Sequence, residues 1–236
     1  MSWAQKKRGM MRSRPSGQPV IPSGYITDGL LLFLDGLQVE SASKWVDCVN
    51  GVEFTLHNAI KAANGVTFAG DNTSYGESSA TFQTGVTIEA AYSLDNASQN
   101  VGIFGQNRPS SGDNTIILLH TYSSQYIFCC WQTARRSYKK SPLESIEIVS
   151  AAIYNGQGGN AVKNGVQITS TGNSYANYPS GGITGSLIAT HNGSSTWMDG
   201  TLHALRIYNR ALSVAEMQAN QALDNQRYGL GITFPT

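Results

Sequence analysis

The sequence predicts an all-β, antiparallel jelly-roll β-sandwich with a short C-terminal helix and an extended N-terminal arm. Three observations carry that prediction. Strand and turn signals alternate every eight to twelve residues or so along most of the chain, the spacing of a sandwich. Of 236 residues only 13% are charged and 25 are glycine, a composition suited to short strands joined by many turns and unsuited to a helical bundle or coiled coil. Near the C-terminus, an apolar strand at Thr201–Tyr208 runs directly into a helix signature at Ser213. A body of this size buries enough surface to dispense with disulfide staples.

Residues 1–24 form the arm. Lys6, Lys7, Arg8, Arg12 and Arg14 are five of the 16 basic residues, no acid precedes Asp28, and Pro15, Pro19 and Pro22 follow among Ser and Gly. The segment lacks the apolar stretch of a secretory signal. A peptide of this composition orders only against a surface, so it reads as a docking arm. Five charges without interleaved aromatic residues do not make a nucleic-acid platform. The remainder, 25–236, is a mildly acidic sandwich.

Gly29–Gly36 is a continuous apolar run closed by Asp35-Gly36, an inner strand expected to pair with Thr201–Tyr208. Lys44–Gly51 ends in an Asn50-Gly51 turn. Ala80–Phe82 and Val86–Tyr92 alternate as strands, and Val101–Phe104, Thr115–Thr121 and Gln125–Trp131 supply three more, with Arg108–Asp113 as a loop. Glu144–Tyr154 alternates as far as Val149 and is broken by Asn155–Gly159. Lys163-Asn-Gly-Val166 is a tight turn, Tyr175–Gly182 an exposed loop, and Gly185–Ala189 a strand. Asp199-Gly200 reads as a turn before the last strand. In that strand Leu202, Ala204, Arg206 and Tyr208 are expected on one face, and His203, Leu205 and Ile207 on the other. Ser213-Val-Ala-Glu216 is a capping box. Ala215, Ala219, Ala222 and Leu223 share one face of the helix, and Gly229 stops it.

No apolar run approaches the length of a membrane-crossing helix. The three cysteines Cys48, Cys129 and Cys130 read as buried thiols, because Cys129 and Cys130 are adjacent and no Cys-x-x-Cys or neighbouring His accompanies them. His57, His120, His191 and His203 are scattered and read as core or surface residues.

The stretch Met198-Asp-Gly-Thr-Leu-His-Ala-Leu-Arg-Ile-Tyr-Asn-Arg-Ala-Leu-Ser-Val-Ala-Glu216 resembles the closing segment of laminin-G-like domains of the concanavalin A-like lectin/glucanase superfamily. Gly65-Val-Thr-Phe-Ala-Gly-Asp-Asn-Thr-Ser-Tyr75 is similar to an early strand and turn of those domains, and Val162-Lys-Asn-Gly-Val-Gln167 to their Asn-Gly hairpin. The resemblance spans roughly Tyr25 to Leu230 and implies a concanavalin A-like fold. It also implies two possible chemistries. Relatives bind calcium at the rim through Asp and Asn oxygens, which Asp71 and Asn72 after Gly70, or Asp95 and Asn96, could supply; the same residues are good turn formers. Glucanases of this fold carry carboxylates about 5–5.5 Å apart on one strand face. Here the nearest equivalent is Glu144-Ser-Ile-Glu147, whose spacing of three is expected to place the acids on opposite faces. No catalytic residue is named on that basis, and no cofactor is expected apart from the calcium option.

What remains is a binding surface. Sugar rings stack on aromatic faces while their hydroxyls need planar polar partners. Trp131, Tyr138, Tyr175, Tyr178 and Arg108, together with Tyr122, occupy loops or strand ends where such a platform could form. The resulting expectation is a non-catalytic structural or binding module: a bacteriophage virion protein (head decoration, head fibre or tail-associated), made in a host cytoplasm. It would dock to other virion proteins, or to a second copy, through Lys6, Lys7, Arg8, Arg12 and Arg14, and display a sandwich toward surface glycans. A stand-alone carbohydrate-binding lectin and a glycoside hydrolase of the same fold are the alternatives.

Overall fold

The computed structural model describes residues 17–82, 87–97, 101–106, 117–120, 126–132, 135–152, 160–169, 183–190 and 196–235. Strand β1 covers Leu30–Asp35, β2 Lys44–Val46, β3 Glu53–His57, β4 Ile60–Lys61, β5 Val66–Ala69 and β6 Tyr75–Phe82. Then follow β7 (Thr87–Leu94), β8 (Gly102–Gln106), β9 (Ile117–His120), β10 (Tyr126–Gln132) and β11 (Arg135–Lys140). The last strands are β12 (Ile146–Ala152), β13 (Ala161–Lys163), β14 (Val166–Gln167), β15 (Ile183–Ile188) and β16 (Asp199–Tyr208), and helix α1 spans Val214–Tyr228.

All pairings are antiparallel. An eight-stranded sheet runs β14-β13-β12-β7-β16-β5-β4, with β1 also paired to β16. A six-stranded sheet runs β2-β3-β6-β15-β8-β9, and β10–β11 form a separate hairpin. Between the two large sheets lies the main core, including Leu32, Trp45, Phe54, Tyr92, Leu205 and Ile207. A second apolar layer, including Phe33, Tyr208, Leu212 and Met217, lies where α1 covers the outer face of the eight-stranded sheet. Having cover on both faces explains why β7 and β16 are buried at almost every position. The expected pairing of Gly29–Gly36 with the last strand is present, from Leu30↔Tyr208 to Asp35↔Ala204.

Two local expectations about β16 change. Asp199-Gly200 is not a turn but the start of the strand, where Gly200 pairs with Phe68 on one side and Leu94 on the other. Glycine is needed because φ is 143° and a Cβ would stand 2.1 Å from the Ser93 carbonyl oxygen. Leu202 also changes face. The register against β7 slips between Leu202 and Ala204, a β-bulge that adds His203 and inverts the alternation. Leu202 therefore joins Leu205 and Ile207 in the inter-sheet core, while Ala204 and Tyr208 face the helix. His203 is buried, its Nδ1 at 2.9 Å from the Asn64 carbonyl oxygen and its Nε2 at 2.8 Å from Ser93 Oγ.

Helix α1 has the predicted capping box at Ser213 and Glu216, and Gly229 closes it in the left-handed conformation. Its buried face is a different one. Ala215, Ala219 and Ala222 are exposed and Leu223 is half-buried, whereas Met217, Asn220, Gln221, Asp224 and Tyr228 are buried. The cause is Arg206, fully buried on the outer face of β16. Burying a charge is costly unless it is paired and hydrogen-bonded, so the helix must present polar groups there. Lys163-Asn-Gly-Val166 is the predicted hairpin, Asn164 and Gly165 both having positive φ. Cys48 is buried.

The described end of the arm, residues 17–24, lies on the chain's own body. Val20 N–H donates to Gln38 Oε1 at 2.8 Å, and Gln38 Nε2 donates to the Val20 carbonyl at 2.7 Å. Ile21 packs against the layer beneath the helix.

Candidate functional site

Among the described residues, buried acidic and buried basic side chains meet in two places. Beneath α1, Arg206 Nε donates to Glu89 Oε2 at 2.9 Å, and its Nη1 and Nη2 donate to the two oxygens of Asp224 at 2.8 and 2.5 Å. Ser150 Oγ and Asn220 Nδ2 also donate to Glu89, and Tyr25 Oη donates to Asp224. Burial pushes the Glu89 carboxyl up from its ordinary range, against the pull of Arg206. Every member is enclosed, so this network holds the helix on the sheet.

The second place corrects the expectation for Glu144 and Glu147. Strand β12 begins only at Ile146, so Glu144 escapes the strand alternation and both acids reach Lys163. Lys163 Nζ stands 2.7 Å from Glu144 Oε1 and 3.2 Å from Glu147 Oε1, and donates to the Pro142 carbonyl at 2.5 Å. Glu147 also accepts from Tyr92 Oη and from the Glu144 N–H. Its carboxyl is raised by burial, opposed by Lys163. A cleft of about 620 Å³ opens beside it between β12, the β13–β14 hairpin and Leu230–Pro235. Glu147 faces none of the solvent, so the two acids present no open pair to a substrate.

The arrangement with accessible chemistry lies on the outer face of the six-stranded sheet. In β3, Phe54 and Leu56 point into the core, which turns Thr55 and His57 outward. Cross-strand register sets His57 opposite Tyr75 and Thr55 opposite Glu77. The His57 and Tyr75 rings stack with centroids 4.5 Å apart and planes at 25°. Trp197 adds a third ring 5.9 Å from Tyr75, tilted by 51°. His57 Nε2 lies 3.0 Å from Glu77 Oε1. All four side chains are part-exposed, giving an aromatic row edged by a carboxylate.

Its supports are built in. Gly102 N–H donates to the Thr196 carbonyl at 2.9 Å and Met198 N–H to that of Ala189 at 2.8 Å, clamping the backbone on each side of Trp197. Asp71 Oδ1 accepts from both the N–H and the hydroxyl of Thr73 at 2.8 Å, forming the turn that delivers Tyr75. The Thr73 hydroxyl holds the Asp71 carboxyl below its ordinary range. Among the described residues four non-glycines have positive φ, and three of them, Asn58, Ala189 and Thr196, flank this row. Such conformations cost of order 1–3 kcal/mol each and cluster at functional sites.

The sequence-derived candidates lie elsewhere. Trp131 and Tyr138 are on the β10–β11 hairpin, opposite Arg136 and Cys129 in register; their side chains, with Arg108, Tyr122, Tyr175 and Tyr178, are outside the described residues. So are Lys6, Lys7, Arg8, Arg12 and Arg14. Asp71 and Asn72 occupy an exposed turn, and among the described residues no group of three or more His, Cys, Asp or Glu side chains gathers in metal-binding distance. His57, Tyr75, Glu77 and Trp197 were missed. The available signal was an outward-facing His and Tyr on two strands that share a register.

The profile of a family described as the concanavalin A-like lectin/glucanases superfamily matches residues 63–218. No curated protein matches the sequence. Among solved structures, the Trypanosoma rangeli sialidase is similar at 20% identity with a TM-score of 0.61, over 89% of this chain and 35% of that one; the chain spans about a third of the sialidase's length. Domain 4 of AbnA, a GH43 extracellular arabinanase from Geobacillus stearothermophilus, solved with arabinotriose, is similar at 13% identity and TM-score 0.59, over 82% of this chain and 98% of that one. A structure of botulinum neurotoxin type C, whose cell entry is dependent upon interaction with two ganglioside molecules, is similar at 8% identity and TM-score 0.60, over 83% of this chain and 51% of that one.

Proposed function

The chain belongs to the concanavalin A-like lectin/glucanase superfamily, and from that premise we propose that it is a non-catalytic carbohydrate-binding module whose ligand stacks on Trp197 at the end of the row it forms with Tyr75 and His57. The observation that carries the reading is the aromatic row with Glu77 beside it. C–H faces of a sugar ring lie on aromatic faces, and a carboxylate accepts from the hydroxyls at the ring edge. Backbone clamps fix the rings before a ligand arrives, which lowers the cost of binding. The similar fold of arabinanase domain 4, seen with arabinotriose, supports the choice of ligand class.

The test is calorimetric titration with a panel of oligosaccharides, including arabinohexaose, xylohexaose, cellohexaose and lactose, against the native chain and Trp197→Ala. Binding by the native chain and its loss in a variant that melts normally is the expected result. Binding unaffected by Trp197→Ala rejects this site, and turnover of any member of the panel rejects a non-catalytic role.

The virion role attaches to the arm rather than to the platform. It rests on the five bases Lys6 to Arg14 with no acid before Asp28, a charge pattern suited to an acidic partner surface. Co-assembly with particles by the full chain, abolished when these five are replaced by Gln, is the expected outcome; retained co-assembly rejects it.

A further inference from the structure

We infer that the platform takes an uncharged sugar and turns carboxylated sugars away, with Glu77 as the residue that sets the choice; this rests on the binding reading above. The His57 imidazole sits on Glu77 Oε1 at 3.0 Å, and among the described residues nothing occupies Oε2. The Glu77 carboxylate is part-exposed beside the aromatic row. A carboxylate accepts hydrogen bonds and cannot donate them, so it pairs with hydroxyls and repels a second carboxylate.

The surroundings have the same sign. On this face of the sheet the cation Lys44 is already taken, with Glu53 Oε1 at 2.7 Å and Glu40 Oε2 at 3.5 Å. At the Trp197 end the backbone draws in three more acids. Gly70 N–H donates to the Met198 carbonyl and Asp95 N–H to that of Asp199, each at 3.0 Å, which brings Asp71, Asp95 and Asp199 to this rim. None of the three is in an ion pair among the described residues. Among the described residues of this rim an anionic ligand would meet carboxylates, with the neighbouring Lys44 already paired. Such juxtaposition suppresses wrong partners.

The experiment compares uncharged ligands with carboxylated ones. Cellohexaose, arabinohexaose and lactose are titrated beside hexaglucuronate and 3′-sialyllactose, at low and at physiological salt, with the native chain, Glu77→Gln and Trp197→Ala. The expected result is neutral binding, with the carboxylated partner about tenfold weaker or worse. The gap should shrink as salt screens it and in Glu77→Gln. Trp197→Ala should lose both ligands. Equal or tighter binding of the carboxylated sugar, with Trp197→Ala still losing it, overturns this inference and spares the binding site. A gap unchanged in Glu77→Gln overturns the role of Glu77. Absence of binding by every sugar, or binding that ignores Trp197→Ala, overturns the site and this inference together.

Discussion

Arg206 on the last strand and Asp224 on the helix face each other as a bidentate pair, both wholly buried, with N–O distances of 2.8 and 2.5 Å. The pair is what turns α1 from an accessory into part of the fold. Glu89 on the neighbouring strand completes a triad of one cation and two carboxylates.

Removing one partner leaves a charge buried without its counter-ion. Asp224→Ala is expected to lower unfolding stability by about 3–5 kcal/mol, as for other broken buried pairs. Replacing Arg206 and both acids together by apolar residues of similar volume should recover most of that loss. Urea unfolding of the single and triple variants checks the prediction; equal losses in both would show that the charges themselves do not matter.

Acid stability should depend on Glu216. The Arg210 guanidinium, then the Ser213 N–H, hold its carboxyl down at about 2, below the ordinary 4.5. A group lowered in the folded state stabilises above its unfolded value and loses that contribution as pH falls through the folded one. Between pH 4.5 and 2, Glu216→Gln should therefore lose less stability than the native chain. The effect is small, under about 1 kcal/mol, because the pair is part-exposed to water.

Glu147 should act with the opposite sign. Burial raises its carboxyl, so its contribution is full below the ordinary 4.5 and is lost as pH rises through the raised value. Glu147→Gln should flatten the decline of the urea midpoint above that pH. A decline of unchanged slope would assign it to another group.

Which parts of this were legible in the sequence follows from distance along the chain. The Ser213–Glu216 box and the Asn164-Gly165 hairpin are local, and both could be read directly. The pairing of Leu30–Asp35 with the last strand could also be read, because two apolar runs near the ends of a sandwich need each other's edges. The buried face of α1 could not. Apolar periodicity selected Ala215, Ala219 and Ala222, whereas Arg206 imposes Asp224 and Asn220 from another element. The bulge at His203 inverts a face by adding one residue that leaves no mark in composition. The aromatic row was invisible for a related reason. His57, Tyr75 and Trp197 come from separate segments, and only the register of β3 against β6 unites the first two.

Gly200→Ala tests how tightly β16 is threaded between its neighbours. The added Cβ meets the Ser93 carbonyl oxygen at 2.1 Å in a backbone conformation with φ of 143°. Neither the sheet backbone nor the dihedral can relax independently, so the loss should exceed about 1 kcal/mol. Thermal melting measures it, and a native melting temperature would mean that the strand shifts freely.

Trp197 should report ligand arrival by its own fluorescence. Trp45 is fully buried in the core, whereas Trp197 is part-exposed beside Tyr75. A sugar stacked on the row should shield Trp197 from acrylamide and leave Trp45 unaffected. In Trp197→Phe the shielding disappears while stacking partly survives, because a smaller ring still offers a face. Trp197→Ala should cost about 2 kcal/mol of binding, roughly thirtyfold in Kd, as for an anchor residue at the centre of a contact. Both variants should melt near the native temperature, since the ring lies outside the inter-sheet core. A saturating sugar that leaves quenching of the native chain unchanged would place its binding away from Trp197.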